Sequence, residues 1–282
     1  MDARTPLSIE YFPPNTDQGQ KSLLRTSAQL AVLKPQYFSV TYGAGGSTKD
    51  RTFAAVTGLT EAGYDVAPHL SFGGSTDEEI EALIQRYRNL GIHRVVALRG
   101  DVPSGIGSAS HMRYAVELVR HLRTHHGNHF HIEVAAYPEV HPDSPNPEDD
   151  LQHFEEKVAA GANAALTQFF YNADAYFDYL ERAAKRGIGI PIVPGIMPIT
   201  NHDNLVRIAL KSGAEIPRWI KRRLEAIREN EDAMREFGAD VVAKLCERLV
   251  QGGAPGLHFY ALNQATATLA ICERLGLVAA AA

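Results

Sequence analysis

Short apolar, β-branched runs alternate with longer amphipathic stretches from one end of the chain to the other. Eight runs have strand character: 6–12 (PLSIEYF), 36–42 (QYFSVTY), 65–70 (DVAPHL), 93–99 (HRVVALR), 131–137 (HIEVAAY), 163–170 (NAALTQFF), 189–195 (GIPIVPG) and 256–262 (GLHFYAL). Several are continuously apolar, the pattern of a parallel strand covered on both faces. The intervening stretches place apolar residues at helical spacing and carry matching end signals. In TDEEIEALIQRYRNLG, Thr76 is a candidate N-cap, acids fill the first turn and Gly91 closes the helix. The segments 148–161 and 172–187 repeat that logic, each ending on glycine. Strand–helix repetition implies a parallel sheet with right-handed crossovers. Eight units predict an α/β fold of the closed (β/α)8 TIM-barrel kind, with an open doubly wound sheet as the alternative. The polar stretch 213–250 keeps helical periodicity and charge pairing, so it predicts extra helix before the last strand. No Pro/Ser-rich hinge or internal repeat interrupts the chain, which is expected to form a single domain over 1–282.

Composition narrows the partners. The 282 residues are close to the roughly 250 typical of such a barrel. A net charge of −5 favours solubility and gives no reason to expect nucleic acid or an acidic membrane as partner. Any anionic ligand must therefore be gripped by local cations. Cys246 and Cys272 lie in helix-like stretches without a CxxC pair, as core residues do. No targeting signal or membrane-length apolar run is evident, so a cytoplasmic location is expected.

In a (β/α)8 barrel the chemistry gathers at the C-terminal ends of the strands. Those positions hold Glu10, Thr41, His69, Arg99, Asp101, Tyr137, Gln168, Met197, Tyr260 and Gln264. Singly, each has a plainer reading. Asp101 could cap a loop, His69 could be a hydrogen-bonded core histidine, and Gln168 could satisfy barrel backbone. Glu10 in an apolar strand is expensive unless it is paired with an Arg or Lys or used in chemistry. Their convergence is what marks a site. No lysine stands at a strand end to form a Schiff base, and no GxSxG elbow occurs. His129 and His131, the one HxH, start their strand, and with His121, His125 and His126 they read as a solvated surface cluster, not a metal site. Glycine-rich loops follow the second strand (Gly43, Gly45, Gly46) and the fourth (Gly105, Gly107). No GxGxxG occurs, so a nicotinamide cofactor would have to bind on the barrel face itself.

The same segments resemble methylenetetrahydrofolate reductases, in order and nearly throughout: IEYFPP (9–14), SVTYGAGGS (39–47), DRT (50–52), APHL (67–70), ALRGD (97–101), AAYPEVHP (135–142), AGAN (160–163), TQFFY (167–171), PGIMPIT (194–200) and HFYALN (258–263). The resemblance implies a barrel that binds FAD and reduces 5,10-methylenetetrahydrofolate to 5-methyltetrahydrofolate with NADH or NADPH. Hydride would pass from nicotinamide to flavin N5 and then to the folate methylene carbon, in ping-pong order. It implies Glu10 as the general acid on a folate nitrogen, with a pKa expected to be raised by its apolar strand. Asp101 would be the carboxylate beside flavin and pterin, and Gln168 a folate or nicotinamide ligand. Thr41, Tyr42, Ala44, His69, Arg99, Gly100, Asp101, Ala115, Tyr137, His141, Asp150, His153 and Lys157 match FAD positions. Thr41, Asn204 and Gln264 join Asp101 and Gln168 as substrate contacts. Many relatives carry Arg where this chain has Gln264, some have Gln at Asn204, and His153 and Glu156 also depart from some relatives. Bacterial relatives form homo-oligomers. With the chain ending soon after the barrel, control by S-adenosylmethionine is not expected. Another FAD barrel, similar to proline dehydrogenase, and a non-catalytic flavin- or folate-binding protein are the alternatives.

Overall fold

A computed structural model describes residues 5–42, 46–72, 75–99 and 114–278. In chain order the elements are β1 (Leu7–Tyr11), α1 (Asp17–Leu30), β2 (Tyr37–Val40), α2 (Gly46–Glu61), β3 (Val66–Leu70), α3 (Asp77–Asn89), β4 (Arg94–Ala97), α4 (Ala115–His126), β5 (His131–Ala136), α5 (Pro147–Ala159), β6 (Ala164–Thr167), α6 (Ala173–Lys185), β7 (Ile192–Val193), β8 (Gly195–Ile196), α7 (His202–Ser212), α8 (Arg218–Ala226), α9 (Glu231–Gln251), β9 (Leu257–Tyr260) and α10 (Thr266–Arg274). All pairings are parallel, in the order β7-β6-β5-β4-β3-β2-β1-β9-β8.

The eight expected strands are present, but the seventh is split. Its first half, β7, pairs with β6 through Ala165↔Ile192, and its second half, β8, pairs with β9 through Gly195↔His258. Pro194 between them lacks the N–H that a continuous strand needs. Its carbonyl still accepts from the His258 amide at 3.0 Å. The covalent link across Pro194 therefore closes the sheet into a (β/α)8 barrel.

Helix ends follow the expected chemistry. Thr76 accepts from the Glu79 amide while the Glu79 carboxylate accepts from the Thr76 amide, a reciprocal cap worth about 1 kcal/mol. Gly91 turns the chain out at φ +76°, a left-handed conformation that costs other residues energy. The 213–250 stretch is not one helix. It contains α8 and α9, the latter capped by Asn230, whose side chain accepts from the Ala233 amide.

Strand alternation sorts side chains to two sides of the barrel wall. Ile9, Tyr11, Phe38, Val40 and Phe259 face the helices in the main core. A small inner cluster holds Tyr37, Ala67, Val96 and Leu166. The remaining inner positions include polar groups: Ser8, Glu10, Ser39, His69, Glu133 and His258. Cys246 and Cys272 are free and buried, as expected. His121 and His126 correct the expectation of a solvated cluster. Their side chains are 9% and 2% exposed, and both reach the Glu81 carboxylate, at 3.1 and 3.0 Å. Packing of α4 on the preceding helix buries rings that an isolated helix would display.

Candidate active site

Glu10, near the end of β1, points into the barrel because its neighbours Ile9 and Tyr11 occupy the outer core. The register sets Glu10 opposite Ser39 on one side and Tyr260 on the other. One carboxylate oxygen, Oε2, lies 3.3 Å from His258 Nε2 and 3.3 Å from His69 Nε2. The His258 contact has hydrogen-bond geometry. Among the described residues His69 Nε2 makes no hydrogen bond of good geometry, so it acts on Glu10 chiefly through charge when its ring is protonated. The partner that the sequence required for a buried carboxylate is thus histidine, not Arg or Lys.

This corrects the expected electrostatics. Burial pushes the Glu10 carboxyl up, but the charge of His69 and the hydrogen bond of His258 oppose it and hold it at about 2. Tyr260, the next inner residue on β9, gives its proton to the Thr167 carbonyl at 2.6 Å and offers none to Glu10.

Beside this cluster lies a cavity of about 670 Å³, within the range of small-molecule sites. The end of β3 links the two: His69 faces Glu10 from the strand, and Ser71, just past its last residue, lines the cavity. Of the expected flavin contacts, Tyr42, Arg99, Ala115, Tyr137, His141, Asp150, His153 and Lys157 form its wall. Apolar wall is supplied by Ala97, Leu98, Val116 and Ala135. The Lys157 ammonium donates to the Ala135 carbonyl at 2.6 Å. Burial lowers it to about 8, with Asp150 only partly restoring it. Burial raises the Asp150 carboxyl against the pull of Lys157 and His141. Arg99 is ion-paired with Asp143 and holds that carboxyl low. The Tyr137 and His141 rings meet edge-on at 4.5 Å. His153 sits at the rim, stacked on Tyr114 at 6.4 Å.

The other expected residues take different places. Thr41 follows β2, its amide bonded to the Tyr11 carbonyl and its own carbonyl accepting from Thr52. Gln168 follows β6, and its side chain accepts from the Phe169 amide at 3.0 Å. Asn204 lies in the first turn of α7 and accepts from Arg207. Gln264 is exposed just beyond β9. Ala44, Gly100 and Asp101 lie outside the described residues. Sequence reading missed Ser8 and His258. Each stands two residues before a singled-out position, Glu10 or Tyr260, and period-2 alternation puts it on the same inner face.

The family profile described as methylenetetrahydrofolate reductase matches residues 2–276. The chain is 37% identical to the 5,10-methylenetetrahydrofolate reductase of Salmonella typhimurium, covering 96% of this chain and 90% of the relative. It is 36% identical to the Escherichia coli enzyme of the same name, with the same coverage. A rice protein named probable methylenetetrahydrofolate reductase (NADH) is 35% identical over 98% of this chain and 49% of its own length. Among solved structures, a Clostridium thermocellum protein described as binding two copies of 5-methyl-5,6,7,8-tetrahydrofolic acid superposes with a TM-score of 0.66, at 17% identity and 96% coverage of both chains. That last likeness supports the barrel fold. With polar strand ends gathered around Glu10 and the sequence matched nearly end to end, the chain belongs to the methylenetetrahydrofolate reductase family of oxidoreductases.

Proposed function

We propose that this barrel reduces 5,10-methylenetetrahydrofolate to 5-methyltetrahydrofolate in ping-pong fashion, using NADH or NADPH and FAD held in the cavity between β2 and α5. The observation that carries the reading is the end of β3, where His69 and the following Ser71 set a cation-bearing cavity next to a buried carboxylate–histidine cluster. The cavity fits a flavin nucleotide. Its buried Ser71 hydroxyl makes no hydrogen bond among the described residues. Its Lys157 is an ammonium without a full counter-charge, suited to an anionic group. Apolar strand residues line the wall against which a flat ring would lie.

When bound, FAD supplies two-electron hydride chemistry, taking reducing equivalents from the nicotinamide and delivering them to the one-carbon unit of folate. The chain's residues do the rest. Arg99 and Lys157 neutralise phosphate or ring oxygens; Tyr42, Ala115, Tyr137, His141, Asp150 and His153 shape and bond the remaining cofactor. Glu10, paired with His258, delivers a proton to the folate nitrogen as the ring opens. Asp101 supplies a negative charge that favours the cationic open form. Thr41, Gln168, Asn204 and Gln264 orient the pterin and tail.

Anaerobic spectroscopy tests this. Purified protein is expected to show oxidised-flavin absorption that NADH or NADPH bleaches and methylenetetrahydrofolate restores. Bleaching without folate-dependent recovery would leave a different FAD barrel oxidoreductase, and a yellow protein that never bleaches would be a binding protein only.

A further inference from the structure

In a chain of net charge −5, α8 is a local exception. It carries Arg218, Lys221, Arg222 and Arg223 against a single acid, Glu225. Ile220 and Leu224 are buried while all four cations are exposed, so the helix turns its charge outward. None of the four has an ion-pair partner among the described residues. Contacts on either side of α8 place it at the mouth of the barrel, where the strands end. Before it, Gly213 stands against Pro142 and the Glu215 amide donates to the Glu139 carboxylate at 2.7 Å, both in the loop that follows β5. After it, Arg228 reaches Asp203 in the first turn of α7 at 2.5 Å.

Between α8, α9 and the β6–α6 loop opens a groove of about 610 Å³. One wall is the largely exposed Trp219 ring, set edge-on to Phe237 at 6.2 Å. Tyr171 joins the groove to the site. It lies three residues after Gln168 on the same loop, and its hydroxyl donates to the Met197 carbonyl beyond β8 at 3.1 Å. Five charged residues line the groove. Arg248 is paired with Asp174, and Asp240 with Arg274. Arg218 and Lys244 remain, exposed and without an ion-pair partner among the described residues, against Glu215 alone. Cations left over beside aromatic walls suit a flexible chain of carboxylates, whose charges meet the cations while its methylene links lie on the rings. A lipid surface fits less well, because α8 already buries its apolar face in the protein and has none to lay into a bilayer.

We propose that this groove, through Arg218 and Lys244, is a subsite for the γ-linked glutamate tail of the folate, reached from the barrel mouth over Tyr171. The proposal rests on the folate reading of the site. Each added γ-glutamyl unit brings one more carboxylate, so a longer tail meets more of the exposed cations on α8 and α9. The tail is remote from the reacting atoms and is held alike in ground and transition states. The groove therefore acts on affinity and leaves the hydride and proton steps unchanged. Because both cations are exposed, each contact is modest and screened by salt.

Trp219 is the single tryptophan of the chain, so its emission reports on the groove directly. The holoenzyme is titrated with a short peptide of γ-linked glutamates that carries no pterin. The parent is expected to show a saturable change in Trp219 emission that weakens as salt is raised. Lys244→Ala and Arg218→Ala are each expected to weaken peptide binding about threefold, and together about tenfold, the range of exposed ion pairs. Lys185→Ala removes the same charge at the far end of α6 and is expected to change nothing. In steady-state kinetics the double variant should lose most of the KM advantage of folates with several glutamates, with kcat and the KM for one glutamate unchanged. A silent Trp219 titration overturns the proposal. So does a Lys185→Ala effect equal to that of Lys244→Ala, which would mean that only overall charge matters, or a KM rise independent of tail length. If the parent turns over no folate, the proposed reaction fails, while the peptide titration still decides whether the groove holds γ-glutamate.

Discussion

Lys157 shows how a single side chain couples the cavity to pH. Its ammonium loses its proton near 8, against an ordinary 10.5, because burial outweighs the help of Asp150. Between those values the unfolded chain binds more protons than the folded one, so stability of the flavin-free protein rises with pH across that window. An anion in the cavity reverses the balance by favouring the charged form. FAD association at about pH 9 is therefore expected to take up a proton and to weaken as pH rises through the folded value. Calorimetric titration in two buffers of different ionisation enthalpy measures the uptake. Identical heats in both buffers, or an unchanged response in Lys157→Met, would remove Lys157 from the anion site. At this scale the sequence was only half readable. Glu10, Arg99 and Lys157 stood out by type and place. The direction of the Glu10 shift did not, because it depends on His69 and His258, brought to β1 from either side by sheet closure. Local apolar neighbours suggested a raised carboxyl; two imidazoles distant in sequence reversed it.

Among the elements, the split seventh strand depends on a backbone contact. The Gly195 amide donates to Thr167 Oγ1 at 2.9 Å, and a Cβ on Gly195 would stand 2.2 Å from the Thr167 carbonyl and 2.7 Å from the Tyr260 ring. Both neighbours belong to strand ends that frame the site, and Tyr260 is already tied to the same carbonyl. Gly195→Ala must push β8 away from β6 and loosen that frame. The expected cost is about 3 kcal/mol, as for severe overpacking, read as a lower urea midpoint at unchanged slope. A loss under about 0.5 kcal/mol, the size of an ordinary surface change, would show that β8 relaxes freely. Strand and helix positions were largely legible because each unit carries its own periodicity and caps. The split was not foreseen, although Pro194 inside 189–195 was its signal. The break between α8 and α9 was likewise marked, by Asn230 followed by Glu231 and Asp232, but continuous charge pairing masked it.

For the whole molecule, the net charge of −5 sets the terms on which an anionic substrate is bound. The overall field repels a folate whose tail carries several carboxylates, and attraction must come from cations within a Debye length of the rim, about 8 Å at physiological salt. Gln264, exposed just beyond β9 and so at the C-terminal end of the barrel, supplies hydrogen bonds but no charge. An arginine there would offer a planar fork matched to carboxylate. Gln264→Arg is expected to lower KM for folates with several glutamates about 3- to 10-fold while kcat stays within about twofold, since the tail is distant from the reacting atoms and binds alike in ground and transition states. The gain should shrink as salt is raised and be smaller for a folate with one glutamate. Steady-state kinetics across tail length and ionic strength separates the possibilities. A gain indifferent to both salt and tail length would mean that residue 264 acts on the pterin end, and that this acidic barrel recognises folate without electrostatic help from its rim.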